Sequence, residues 1–142
     1  MTNSIAEIED AGCILIIGSN TTACHPLIAR RVLRAKEKGA KLIVADPRNI
    51  QLARFADVSV NHRLGSDVAL LNGMMHLILK NDWHAKQYIA ERTEGFEALE
   101  ETLKAYTPEK VQAITGVDVH DLEKITQLYA THPPASLLYA MG

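Results

Sequence analysis

Three short stretches of the sequence carry side chains suited to holding a nucleotide. The first is Gly18-Ser-Asn-Thr-Thr22, followed by His25. Ser19, Asn20, Thr21 and Thr22 offer hydroxyls and an amide, and Gly18 lets the backbone turn sharply while leaving room beside it. A helix starting near His25-Pro26 would add free N–H groups and a positive dipole end, which is where phosphate binds readily. The pattern is Gly-x-Asn and lacks the three glycines of the dinucleotide fingerprint, so an ordinary strand-to-helix turn is the competing reading. The second stretch, Asp46-Pro47-Arg48-Asn49, pairs a carboxylate suited to ribose hydroxyls with a forked guanidinium suited to phosphate. Here the alternative is that Asp46 caps a short turn and Arg48 is solvated. The third, Gly65-Ser66-Asp67, sets a carboxylate where it can accept from the ring N–H and exocyclic amine of guanine together, a donor pair that adenine lacks. A helix N-cap is the competing role for Asp67.

These stretches follow apolar runs that read as strands. Cys13-Ile-Leu-Ile-Ile17 and Lys41-Leu-Ile-Val-Ala45 are near-continuous apolar segments, the pattern of strands buried on both faces. Between them a helix over 26–38 is expected, opened by Pro26 at its first turn and stopped by Gly39. Its apolar side is expected to include Leu27, Ala29, Val32 and Leu33, with Arg30, Arg31, Arg34 and Lys38 outside. Right-handed parallel pairing follows for such a strand–helix–strand unit. A helical turn over 50–55, a third strand over 57–60 and a long helix from Ser66 or Asp67 to Leu79 come next. Val68, Leu71, Met74, Met75 and Ile78 make the body of that helix apolar enough to be mostly buried. Shorter helices are expected near 84–91, 95–104, 108–113 and 118–131, then a last strand over 135–140. The fold class is therefore α/β: a three-layer αβα arrangement with a mostly parallel, Rossmann-like sheet and an additional helical segment about 84–131, all in one domain over 1–142.

The bulk properties exclude several classes. The 142 residues suffice for one domain, and a net charge of −2 gives no electrostatic footprint for nucleic acid. No apolar run approaches the roughly 20 residues a membrane span needs. The polar, acidic start of the chain is unlike a signal or transit peptide, which makes the cytoplasm the expected location. Cys13 and Cys24 have no cluster spacing, and Cys13, at the head of an apolar run, reads as a buried thiol. The six histidines form no HExxH pair, and no nucleophile elbow or Walker lysine is present, so no catalytic residues and no metal ligands are assigned.

Taken in order, Ile17-Gly-Ser-Asn20, His25-Pro26, Gly39-Ala-Lys-Leu-Ile-Val-Ala-Asp-Pro-Arg48, Ala56-Asp57, Gly65-Ser-Asp67 and Ala69-Leu-Leu-Asn72 resemble the middle of the molybdopterin oxidoreductase family. Within it, Arg92-Thr-Glu-Gly-Phe96, Tyr106-Thr-Pro108 and Ile114-Thr-Gly116 resemble the formate dehydrogenase alpha subunits. The resemblance runs over essentially the whole chain, Met1-Thr-Asn-Ser-Ile5 included.

That resemblance implies a bis-molybdopterin guanine dinucleotide carrying molybdenum or tungsten. Carried over by position, Ile17 to Cys24 would lie along the phosphates and His25-Pro26 would start the helix behind them. Asp46, Pro47, Arg48 and Asn49 would surround the ribose and guanine, and Gly65, Ser66 and Asp67 would complete the pocket. A [4Fe–4S] cluster, the metal's own ligand and the residues that assist formate oxidation would lie elsewhere in the parent subunit, because neither cysteine has the cluster spacing. The chain then reads as an internal piece, without catalysis of its own, of an enzyme that oxidises formate to carbon dioxide. Its implied partners are the remaining domains of the same subunit and the electron-transfer subunits of the complex. The alternatives are a stand-alone nucleotide-binding or regulatory module, and the equivalent domain of a related enzyme such as a nitrate reductase.

Overall fold

The computed structural model describes residues 4–140; residues 1–3, quoted within the resemblance, and 141–142 lie outside the described residues. Strands β1 (Cys13–Ile17), β2 (Lys41–Ala45), β3 (Val58–Val60) and β4 (Ala135–Tyr139) form one sheet in the order β3-β2-β1-β4, with all neighbours parallel. The chain moves outward from β1 to β3 and then crosses back to lay β4 on the other side of β1. That reversal is the topological switch point beside which open α/β sheets bind ligands.

The alternation of side chains along β1 and β2 splits the core in two. Cys13, Leu15 and Ile17 join Ile43 and Ala45 on one face, while Ile14, Ile16, Leu42 and Val44 face the other way. Both faces are covered, which is why the strands have no polar residue to spare. Each fully buried Ile or Leu here contributes roughly 1.5–3 kcal/mol of transfer free energy. Burial also pushes the Cys13 thiol up to about 11, so it stays a protonated packing group.

After β1, a four-residue helix α1 (Thr21–Cys24) precedes α2 (Pro26–Glu37). The sequence pattern predicts only a turn at α1. Small residues make a poor helical pattern, but Ala23 and Cys24 N–H both bond Asn20 O and close the turn. Helix α2 starts at Pro26 as expected, yet its buried side is Ala29, Val32 and Ala35. Leu27 is exposed, a correction to the expected apolar side: the helix lies on the sheet through small residues, and Leu27 falls off that stripe.

Helix α3 (Asp67–Lys80) buries Ala69, Leu70, Gly73, Met74 and Leu77 against the opposite face of the sheet. Val68 is exposed, and Leu71, Met75 and Ile78 are only partly buried, so that expectation too is corrected to a neighbouring face. Helices α4 (Lys86–Arg92), α5 (Phe96–Leu103), α6 (Pro108–Thr115) and α7 (Val119–Thr131) occupy the segment read as helical. Thr107 caps α6 by accepting from Lys110 N–H, and Asp118 caps α7 by accepting from His120 N–H at 2.8 Å. Gly116, at φ 76°, ends α6 in the left-handed conformation that suits glycine. Val111, Leu122 and Ile125 of α6 and α7 then join α3 in covering the sheet.

Candidate functional site

The carboxyl ends of the first three strands are level. Ile17 pairs with Ala45, and Ala45 with Val60. Beyond them Gly18 N–H bonds Ala45 O at 2.9 Å, and Asp46 N–H bonds Val60 O at 3.1 Å. The loops 18–25, 46–50 and 61–67 therefore leave one edge of the sheet side by side, roughly 5 Å per strand apart. All fourteen residues expected at a nucleotide site lie on or at the root of these loops.

The first loop divides by direction. Ile17 is a core side chain, 4% exposed, and only its backbone reaches the edge. Gly18 takes φ 57°, and the chain turns there. Ser19 and Thr21 point inward and share a hydrogen bond of 3.1 Å. Asn20 and Thr22 are half-buried, with Thr22 Oγ1 donating to Asn20 Oδ1 at 3.1 Å, and His25 is exposed. Outward-facing polar groups are thus Asn20, Thr22 and His25, on a frame locked by Ser19 and Thr21.

In the second loop Asp46 is 1% exposed and turned towards Arg48. Its Oδ1 accepts from Arg48 N–H at 2.9 Å and from Nε at 3.0 Å, and its Oδ2 accepts from Nη2 at 3.1 Å. Burial alone raises the Asp46 carboxyl, but the Arg48 side-chain and amide hydrogen bonds, with the guanidinium charge, hold it below the ordinary aspartate range. The competing reading from the sequence is partly present, since Asp46 closes a turn through Arg48 N–H while Arg48, though paired with it, stays largely open to solvent. Asn61 ties this loop to the third: its Nδ2 donates to Asp46 O at 2.8 Å and to Arg48 O at 3.3 Å.

In the third loop Asp67 does not occupy the N-cap position. It is the first residue of α3, and the N-cap position falls to Ser66, which makes no side-chain capping bond. Ser66 Oγ instead donates to Arg63 O at 2.6 Å. The N-cap reading of Asp67 is therefore corrected, because its half-buried carboxylate faces His62, whose Nε2 lies 3.0 Å from Oδ1. Arg63 anchors the loop from below: its Nη1 donates to Ala113 O at 2.6 Å and its backbone N–H to Thr115 O at 2.8 Å.

The sequence matches the molybdopterin oxidoreductase family over residues 1–134. The chain belongs to that family. It is 50% identical, over its whole length, to the F420-dependent formate dehydrogenase subunit alpha of Methanocaldococcus jannaschii, and covers 21% of it. It is 41% identical to formate dehydrogenase H of Escherichia coli, again over its whole length and 20% of that protein. Among solved structures, acetylene hydratase from Pelobacter acetylenicus superposes with a TM-score of 0.87 at 31% identity, over 96% of this chain and 20% of that one. The chain thus spans about one-fifth of the relatives it matches.

Several hollows on the described surface lie away from this sheet edge: about 380 Å³ beside His84 and Phe96, about 650 Å³ by Gly12 and Gly39, and about 450 Å³ along β4. Three residues of the edge have no role predictable from the sequence alone: Asn61, His62 and Arg63. Their signal was position alone, immediately after β3 and within the loop that opens α3. Among the described residues no group of three or more His, Cys, Asp or Glu comes together as a metal site, and no helix is long and apolar enough to cross a membrane.

Proposed function

We propose that the chain holds one guanine dinucleotide arm of a molybdopterin cofactor in a formate dehydrogenase catalytic subunit. The observation that carries this reading is the alignment of the three polar loops on one sheet edge, the second and third cross-tied by Asn61. The donor set fits such a group: Asn20, His25 and Arg48 face outward with donors for phosphate oxygens, Thr22 holds the Asn20 amide by donating to its Oδ1, and Asp67 offers a half-buried carboxylate for guanine. Asp46, buried and held charged by Arg48, fixes the root of the second loop beside which the ribose would lie. Pro47, Asn49, Gly65 and Ser66 shape the backbone around them, and Ile17, Ser19 and Thr21 hold it in place.

When bound, the cofactor supplies the metal, molybdenum or tungsten, at which formate would be oxidised to carbon dioxide. The chain's own part is binding and orientation. The relatives' names include both dehydrogenases and a hydratase, which supports a shared segment that grips the cofactor and leaves the reaction to other parts of the enzyme. In that account a [4Fe–4S] relay and the electron-transfer subunits belong to the larger complex, with the cytoplasm as its setting.

Titrating GDP into the ¹⁵N-labelled chain tests the location. Shifts gathered on 18–25, 46–49 and 65–67 are expected. Shifts gathered instead at the His84–Phe96 hollow, or none at saturating nucleotide, would overturn the reading.

A further inference from the structure

His62 is among the most buried polar side chains of the described residues, with its ring out of contact with solvent. Its two nitrogens are not equivalent. Nε2 lies 3.0 Å from Asp67 Oδ1, whereas Nδ1 is buried without a hydrogen-bond partner. A carboxylate only accepts, so in a neutral ring the proton sits on Nε2 and points at Asp67. Nδ1 is then a bare acceptor shut away from water, an arrangement that costs desolvation and returns nothing. A leucine would fill the same space without that cost. The ring's one directed polar contact is Asp67, and its burial leaves it little freedom to point elsewhere.

We propose that His62 is a positioning residue that sets the guanine preference of the site by fixing the Asp67 carboxylate. This rests on the guanine reading of Asp67 given above. Asp67 stands at the first position of α3, and the hydrogen bond the structure gives its carboxylate is the one to His62. The His62 hydrogen bond occupies one lone pair of Oδ1 and fixes the plane of the group. The remaining lone pairs of both oxygens then present one fixed pair of acceptors to the paired donors of a guanine edge. Without the bond the carboxylate rotates, and its two-point match to guanine is lost while phosphate and ribose contacts stay.

The test is calorimetric titration of GDP and of ADP into the chain and its His62→Leu and His62→Gln variants. Glutamine can place an amide N–H where the ring's Nε2 stands. In the unaltered chain GDP should bind more tightly than ADP. His62→Leu should reduce that preference about tenfold, the scale of one hydrogen bond to a charged group, with ADP affinity unchanged. His62→Gln should retain most of it. Equal weakening of both nucleotides in His62→Leu would mean a merely structural ring and would overturn the proposal, as would an unchanged preference. An unaltered chain that binds GDP and ADP alike would instead overturn the guanine reading itself. A readout that needs no variant is the ¹⁵N resonance of His62 Nε2, which should move with GDP and not with ADP; a resonance indifferent to GDP contradicts the proposal.

Discussion

Arg48 folds back onto Asp46 across a single proline, its Nε 3.0 Å from Oδ1 and its Nη2 3.1 Å from Oδ2. The pair sits where β2 ends, so a buried carboxylate is kept charged at the sheet edge by a cation that is itself open to solvent.

The pH dependence of stability follows from that pair and from Asp57. Burial opposes the charge on Asp57, but Lys36 and the Leu42 N–H, with Lys41, hold its carboxyl low as well. Both groups titrate lower in the folded chain than in the unfolded one, where the ordinary value is 3.8. Their stabilisation is therefore complete above that value and is lost as pH falls through the lower folded values. Glu9, drawn down to about 2 chiefly by Arg31, loses its share in the same direction. Urea midpoints should hold level from about pH 7 to 5 and drop steadily below about pH 4. Asp46→Asn should flatten part of that drop; a midpoint insensitive to acid would contradict the assignment.

Removing the cation leaves Asp46 buried and half-satisfied. Arg48→Ala should destabilise the chain, by less than breaking a fully buried pair because Arg48 is mostly exposed. Arg48→Lys should recover little, because an ammonium cannot reproduce the forked contact. Chemical denaturation of the three proteins at pH 7 measures both effects.

Gly73 lets α3 approach α6. A Cβ at residue 73 would lie 2.7 Å from Val111 Cγ2 and 3.0 Å from Cγ1. Alanine improves helix propensity by about 1 kcal/mol, but overpacking a buried valine costs roughly 1–3 kcal/mol, so Gly73→Ala should destabilise on balance. In the Val111→Ala background the same change should stabilise. A double-mutant cycle with no coupling would show that the helices do not meet there.

Arg63 is expected to matter more than an exposed loop arginine would. Its contacts to Ala113 O and Ile114 O satisfy the end of α6 and pin the loop that opens α3. Arg63→Ala should cost about 1 kcal/mol and raise amide exchange across 63–67. Exchange rates equal to those of the unaltered chain would remove its anchoring role.

The parts legible in the sequence were those set by local pattern. Five-residue apolar runs announced β1 and β2, and Pro26, Thr107, Pro108, Asp118 and Gly116 marked helix ends through their own backbone chemistry. The loops could be placed at one edge because parallel strands put all carboxyl ends together. What could not be read was whatever depends on a distant partner. Leu27 and Val68 look like core residues until the packed stripe of α2 or α3 is known. Asp67 looks like a cap until the third loop, held by Arg63 on α6, turns His62 towards it. Asn61 has no visible purpose until two loops stand side by side.

The most direct test of the central claim is calorimetric titration of GDP into the chain and into Asp67→Ala. The account predicts measurable heat at GDP concentrations on the order of millimolar, and at least about tenfold weaker binding when the carboxylate is gone. No heat from the unaltered chain, or equal affinity in Asp67→Ala, would contradict it.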